Sequence, residues 1–467
     1  MLRVVAETLQ HRGTQGWLVG GTVRDRELGR FSPDLDVVVA DDPKLVAAQV
    51  AARLQRPWFA LSKHFDAYRV LGEGGHIDIA ALRGGGLVAD LELRDFTVNA
   101  MAVPVEGGEP VDPFGGMRHL RERTLAAVSD SVFDDDPLRL MRAARFCHVL
   151  GFRLGPGLDT LVRAKAGALV RSARERVLTE MSLTLEVGRA AEAVGLWHEL
   201  GLLDPLLPEL TRGTIPVPAA GASAAGAPAR HARAHSMVED TVATLRQIDS
   251  VLADIATWFP AQAEVLSERL SEHADGALSR PVAVRLAGLL RLLPPERSEA
   301  VCRRLRLPNS VAGFVRRAAE ERAREWETAT LRFGAADVPS EREVVSFLWR
   351  SAPWEPEVII VGLGADLAAC SDSEANQDRE AVEGARASAG RLMERWAARA
   401  SGIPRPPVSG DELMSTLDLA PGPLLGQVAR EVQLAWESAE VDSAEDALAA
   451  ARVFLAEARR AGASPGL

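Results

Sequence analysis

Runs of β-forming residues stop at about residue 112 of this 467-residue chain, and that asymmetry limits the folds open to it. Before that point WLVGG, LDVVVA, WFALS, YRVLG and HIDIAAL alternate with helical stretches, the order expected of a small mixed sheet covered on one side by helices. After the turn-like DPFGG at 112–116, Ala, Leu, Arg and Glu dominate with helical periodicity. The expected class is α+β: a mixed-sheet head followed by all-helical domains. So long a chain exceeds one ordinary core. GTIPVPAAGASAAGAPAR at 213–230 reads as a linker and SGIPRPPVSG at 401–410 as a second break. The expected divisions are a head at 1–112, a helical neck at 113–212, the linker at 213–230, a helical body at 231–400 and a helical tail at 401–467.

Bulk properties exclude several classes. Cys147, Cys302 and Cys370 have no CxxC spacing, which argues against a disulfide framework or zinc cluster and for a reducing compartment. The start, MLRVVAETLQHRG, lacks the apolar core of a signal peptide, and no apolar run approaches the ~20 residues of a membrane span. A soluble, cytoplasmic protein with no membrane partner is expected. A net charge of −11 argues against a chain that coats nucleic acid everywhere. Residues 115–190 nevertheless carry 13 Lys/Arg against 9 Asp/Glu, including Arg139, Arg142, Arg145, Arg153, Arg163, Lys165, Arg171, Arg174 and Arg176. A restricted basic stripe suits one RNA end held by its phosphates, although an ordinary solvated helix surface explains it as well.

The residues that carry chemistry begin at Gly20-Gly21-Thr22-Val23-Arg24, with Asp34-Leu35-Asp36 ten residues on. Leu35 to Ala40 reads as a strand, and side chains two apart on a strand share a face, so Asp34 and Asp36 can share divalent ions. Carboxylates with room left for phosphates and water suit Mg²⁺. The two glycines let backbone N–H groups approach a triphosphate, and Arg24 can supply a charge-assisted fork to it. Two solvated aspartates at a strand end would explain Asp-x-Asp alone. The ordered set reads instead as a two-metal nucleotidyl-transfer site.

GWLVGGTVRDRELGRFSPDLDVVV resembles the signature of the class II tRNA nucleotidyltransferase and bacterial poly(A) polymerase family. HIDIAALR at 76–83 resembles the strand bearing the family's third carboxylate, here Asp78. LRDFTVNAMA at 93–102 resembles its Arg-Arg-Asp segment, with Leu93 where a second Arg is usual, and DDPLRLMRAARF at 135–146 resembles its Glu-Asp-x-x-Arg helix, with Asp135 in place of Glu. Four such segments in order cover about the first 190 residues.

The resemblance implies a two-ion Mg²⁺ centre on Asp34, Asp36 and Asp78, in which metal lowers the pKa of the RNA 3′-hydroxyl and neutralises the departing pyrophosphate. Arg94 is then expected to contact the incoming nucleotide, while Asp95 and Asn99 shape the ribose pocket; Asp95 is also a good helix N-cap. Asp136 and Arg139, three apart on one expected helical face with Arg142 and Arg145 continuing the stripe, are the expected readers of the base. Cytosine and adenine both present an amine beside a ring acceptor, which an Asp and an Arg can read without a template. An intrahelical Asp–Arg ion pair, worth little at a surface, is the plainer alternative.

Family members that add CCA carry a flexible loop of a dozen or more residues before the Arg-Arg-Asp segment, where this chain has only GGGLVADLE at 84–92. That resembles the CC-adding enzymes. The expected activity is transfer of two cytidines from CTP to the tRNA acceptor end, with a separate enzyme adding the terminal adenosine. A full CCA-adding enzyme that also uses ATP, a poly(A) polymerase and a catalytically silent RNA-binding protein are the alternatives. SARERVLTEM at 172–181 resembles the family's next helix and GLWHELGLLDPLLPEL at 195–210 the end of its neck, while the tail VSGDELMSTLDLAPGPLLGQV at 408–428 resembles the segment that grips the acceptor–T arm. Where relatives carry paired His-Asp metal ligands this chain has HARAHSMVEDTVATL. His231 and His235 read as surface or linker histidines, and no second hydrolytic activity is expected.

Overall fold

The computed structural model describes residues 1–62, 66–213, 236–276, 278–328, 339–370, 375–400 and 402–460. Six strands form the head sheet: β1 (Gly16–Val19), β2 (Leu35–Val39), β3 (Trp58–Ser62), β4 (Ala67–Leu71), β5 (His76–Ala81) and β6 (Ala102–Pro104). Their order is β3-β4-β5-β2-β1-β6, and only the β2–β5 pair is parallel. The first five are the apolar runs legible in the sequence. The sixth is three residues long and ends in Pro104, which the edge of a sheet tolerates because no ladder N–H is needed there.

Each helix of the head has a local cause. α1 (Leu2–Arg12) ends at Gly13, whose φ of 64° lets its N–H close back on the last turn. It packs so closely on β1 that a Cβ at Gly16 would stand 2.5 Å from Leu9 Cδ1. α2 (Gly21–Glu27) follows directly on β1. α3 (Pro43–Leu54) is capped by Asp42, whose carboxylate accepts from the Lys44 and Leu45 N–H groups, and buries Val46, Ala47, Val50 and Ala51 in contact with β3, β4 and β5. Val37, Val38, Val39, Ile77 and Ile79 fill the middle of the sheet, each at most 3% exposed. Those five residues hold β2 and β5 in fixed register, which positions the site.

Among the described residues, the regular structure outside the head sheet is helical apart from two small strand pairings, Thr124–Leu125 with Arg153–Leu154 and His273–Asp275 with Leu278–Ser279. α4 (Leu87–Glu92), α5 (Gly116–Arg121), α6 (Val132–Asp135), α7 (Arg139–Leu150), α8 (Leu158–Lys165) and α9 (Arg174–Leu185) complete the region around the head. The turn before α5 is fixed by Asp112, which accepts from the Gly116 and Met117 N–H groups at 2.6 and 2.9 Å. A Cβ at Gly116 would lie 2.3 Å from Thr97 O, so only glycine lets α5 approach the short 3-10 helix Thr97–Asn99.

Chain contacts separate two compact units, residues 1–184 with 196–206, and 185–195 with 207–467. Within the second, helices Met237–Ala253, Arg280–Leu290 and Glu355–Cys370 meet at Ile248, where a Cβ on Gly288 or Gly364 would come within 2.5 Å. Near the start of the last of these helices, buried Glu357 accepts from Arg269 and Arg280. The last three helices, Gly410–Leu417, Pro423–Glu437 and Ala444–Arg460, close over their own core of Leu413, Val428, Val432, Ala447, Ala451 and Leu455. No described helix is long and apolar enough to cross a membrane. His231 and His235, and the expected linker from residue 214 on, lie outside the described residues.

Candidate nucleotide-binding site

The parallel pairing of β2 with β5 sets Asp36 opposite Asp78 as register partners. Asp34 lies one residue before β2, and its Oδ1 accepts from the His76 backbone N–H at 3.0 Å, with His76 Nδ1 at 2.7 Å. Thr22 on α2 ties the strand down by accepting from the Asp36 N–H at 2.8 Å. Among the described residues Asp36 accepts no hydrogen bond on its carboxylate, and no set of three His, Cys, Asp or Glu side chains is already gathered as a closed metal cage. Burial, and then the charge of Asp78, push the Asp36 carboxyl above the usual carboxylate range, with Arg94 and His76 opposing. A half-buried, unpartnered carboxylate facing a second one fits a divalent cation, which would relieve that repulsion.

Gly20 carries the backbone into the site. Its φ of 66° disfavours any side chain, and a Cβ there would stand 2.9 Å from Arg94 Nη1 and 3.4 Å from Asp36 Oδ2. The positive φ favours glycine, and any side chain would in addition have to push the Arg94 guanidinium aside. Gly21 differs: a Cβ would meet Arg24 Nη2 and Asp36 Oδ2 only at ordinary contact distances of 3.5 and 3.8 Å. The steric demand for glycine is thus stronger at the first position than at the second.

Arg94 follows α4 and is aimed by Asp90, a fully buried carboxylate one helical turn back. Asp90 accepts from Arg94 Nε and Nη2 at 3.2 and 3.0 Å and from Arg83 Nε at 2.8 Å. Burial works against its charge, yet the two guanidiniums hold its carboxyl below the usual range. The bonds to Asp90 use Nε and Nη2 and leave Nη1, the atom beside Gly20, for a ligand.

A second network joins the 94–99 segment to α7 and α9. Asp95, 6% exposed, accepts from the Phe96 N–H at 2.8 Å, Asn99 Nδ2 at 2.9 Å and Arg142 Nε at 2.8 Å. It organises this turn, whose helical part is the single 3-10 turn Thr97–Asn99 rather than a longer helix. Arg24 donates Nη1 to Asn99 Oδ1 at 2.8 Å and both remaining nitrogens to Asp25 at 2.9 Å. Glu180 on α9 accepts from Arg142 and Arg145 at 3.4 and 2.7 Å. Arg24, Arg142 and Arg145 surround the Phe146 ring with their guanidinium carbons 5.0, 5.2 and 4.5 Å from its centroid. Burial draws Arg145 below its ordinary pKa, with Glu180 acting against it and the neighbouring cations adding. Arg142 and Arg145 thus face inward, while Arg153, Arg163 and Arg171 of the same sequence stripe are solvated.

Asp136 departs from the expected geometry. It is extended, with φ −146° and ψ 102°, and α7 begins only at Arg139, so the two do not share a helical face. Pro137 is the reason, because a residue before proline is driven out of the helical region. Asp136 instead accepts from the Leu138 N–H at 3.1 Å and from Arg176 Nη2 at 2.7 Å. Arg139 donates to Leu93 O at 2.8 Å and Val132 O at 3.3 Å. No intrahelical Asp136–Arg139 pair forms.

These side chains line one open cleft of about 580 Å³, in which seven arginines outnumber four carboxylates. It gathers Gly20, Gly21, Arg24, Asp36, Arg94, Asp95, Asn99, Asp136, Arg139, Arg142 and Arg145. Asp34 and Asp78 are not among its lining residues. Arg69, His76, Asp90, Phe146 and Glu180 were not singled out by sequence reasoning, although HIDIAALR and SARERVLTEM contain two of them, and Arg176 was named only as part of the basic stripe. A cleft of this size and excess positive charge suits a nucleoside triphosphate.

The family description "Poly A polymerase head domain" matches residues 16–126, and "Probable RNA and SrmB- binding site of polymerase A" matches residues 151–213. The A-adding tRNA nucleotidyltransferase of Deinococcus radiodurans is 32% identical over 444 residues, covering 92% of this chain and 94% of that one. The CC-adding tRNA nucleotidyltransferase of Geobacter sulfurreducens is 32% identical over 289 residues, or 62% of this chain. Against three curated CC-adding relatives the matched stretch spans 61%, 56% and 52% of the relative's length. The fold is that of the Thermotoga maritima CCA-adding enzyme complexed with tRNA, at a TM-score of 0.59 and 19% identity over 97% of this chain and 94% of that chain. The two family matches, the shared fold and the near full-length kinship therefore agree: the chain belongs to the tRNA nucleotidyltransferase family.

Proposed function

We propose that this chain transfers cytidine from CTP to the 3′ end of the tRNA acceptor arm without a template, adding two residues and then stopping. One observation above others supports this reading. Residues 84–92, between β5 and Arg94, make a turn at 84–86 and then α4 over 87–92, pinned through Asp90 to Arg83 and Arg94. A connection so short and so tied has no slack with which to re-aim the base-reading groups between C and A.

Asp34, Asp36 and Asp78 are the residues that would hold Mg²⁺, which when bound supplies an activated 3′-hydroxyl and neutralises the leaving pyrophosphate. The chain's own residues do the rest by positioning. Arg94 Nη1 and Gly20 bound the space for the triphosphate. Asp95 and Asn99 are locked by Arg142 and Arg24, which gives the sugar a rigid wall. Asp136, clamped by Arg176, keeps carboxylate oxygen for the cytosine amine, and Arg139 is anchored alongside by two carbonyls.

The Deinococcus relative, matched over 94% of its own length, favours a second reading, addition of the terminal adenosine alone. Offering tRNA lacking its 3′ terminus, or ending in one or two C, with CTP, ATP or both, and sequencing the products, separates the two. Growth by two C that halts despite ATP is expected. Addition of A only to tRNA ending in CC establishes the second reading, and full CCA or long A tails overturns both.

A further inference from the structure

The three carboxylates of the head are not equivalent, because two already have partners. Arg69, the register partner of Asp78 on β4, donates Nε to Oδ1 at 2.7 Å and Nη2 to Oδ2 at 2.8 Å. One planar guanidinium therefore takes both oxygens, on the side where a cation would chelate. The two side chains are 31% and 23% exposed, so solvent weakens the fork without leaving it a loose surface pair. Asp34 is engaged by His76 through its backbone N–H and Nδ1, and His76 Nε2 stands 3.6 Å from Asp78 Oδ2. Asp36 alone offers a carboxylate with no hydrogen bond among the described residues.

We infer that Arg69 is a built-in counter-cation that competes with the divalent ion for Asp78, so ions enter through Asp36 and Asp34 and engage Asp78 only when Arg69 withdraws. This rests on the proposed role of the three carboxylates. A fixed positive charge on the third ligand lowers resting ion affinity and ties full assembly of the centre to whatever displaces the guanidinium. A triphosphate arriving with its own Mg²⁺ supplies both the ion for Asp78 and an anionic partner for Arg69. Arg69 is a positioning residue here, because it acts through Asp78.

Mn²⁺ titration followed by electron paramagnetic resonance, on the full chain without RNA or nucleotide, tests this. Arg69→Gln removes the competing charge and should tighten Mn²⁺ binding by about tenfold, the scale of a charge-assisted hydrogen-bonded pair discounted for partial exposure. Arg69→Lys keeps a point charge but loses the fork and should fall between. The double variant R69Q/D78N should return to wild-type affinity or weaker. Unchanged or weaker binding by both Arg69 variants, with native circular dichroism, overturns the inference; if Arg69→Gln fails to fold, Arg69→Lys alone decides. Asp36→Asn distinguishes the levels. Loss of Mn²⁺ in that variant with no gain in the Arg69 variants removes this inference only, whereas wild-type affinity in Asp36→Asn removes the metal-site reading and the inference with it.

Discussion

Replacing Asp95 by Asn tests whether the cleft is held by charge or merely by packing. Asp95 joins the 94–99 turn to α7 across 47 residues of sequence, and its side chain is 7% exposed. The amide can still accept from the Phe96 N–H and from Asn99, so the loss is confined to the Arg142 pair. Breaking a buried pair by removing one partner costs about 3–5 kcal/mol. Arg142 keeps Glu180 at 3.4 Å and is 32% exposed, which brings the expectation to about 3 kcal/mol. Hydrogen–deuterium exchange over peptides spanning 93–102 is the assay, and about a hundredfold faster exchange corresponds to that loss. Asp134→Asn is the control. It breaks a pair with Lys165 in which the carboxylate is 52% exposed and should shift stability by less than about 1 kcal/mol.

The same substitution carries a pH signature. Burial opposes ionisation of Asp95, but Arg142 and Asn99 hold its folded carboxyl below the usual Asp range. A carboxyl depressed in this way stabilises the fold fully above its unfolded pKa of about 3.9 and progressively less as pH falls through the lower folded value. The difference between wild type and Asp95→Asn should shrink below about pH 4 in acid unfolding followed by tryptophan fluorescence. A difference constant from pH 7 to pH 3, or exchange no faster than in the Asp134→Asn control, refutes the charge-based account.

Gly20→Ala should cut kcat/KM for CTP at least tenfold with little change in RNA affinity, measured by single-turnover kinetics and gel shift, since its Cβ meets Arg94 Nη1 at 2.9 Å beside the expected triphosphate. Equal loss of both would mark it as a folding residue. Asp136→Ala should blur the preference for CTP over UTP by one to two orders of magnitude, because a hydrogen-bond reader left without its acceptor loses discrimination; preserved preference in competition assays would assign base reading elsewhere. Burial pushes the Cys147 and Cys302 thiols up to about 12, so both should alkylate at pH 8 about a thousandfold more slowly than a free thiol. Mass spectrometric mapping of iodoacetamide labelling reads this, and fast labelling of either would show that its surroundings open.

Much of the architecture lies in local pattern, which is why the sequence discloses it. Trp17–Val19, Leu35–Val39, Trp58–Ser62, Ala67–Leu71 and His76–Ala81 are runs whose composition favours strands whatever the partner, and Ala- and Leu-rich periodicity does the same for the helices. Gly20 and Asp36 were legible because their spacing is short. Asp136 shows local pattern misread: its place three residues before Arg139 looked helical, while Pro137 in plain view disfavours that conformation.

Partnerships across the chain were decided only by tertiary structure. Arg69 faces Asp78 because β4 pairs antiparallel with β5 in one register, and a shift of one residue would put the two on unrelated sites. Arg142 meets Asp95 and Glu180 at separations of 47 and 38 residues, and three guanidiniums converge on Phe146 from two helices. Residue type and near-neighbour spacing dictated which elements form and which chemistry is on offer. Register and packing, which are properties of the whole folded chain, decided which charges neutralise one another and which remain to receive a ligand.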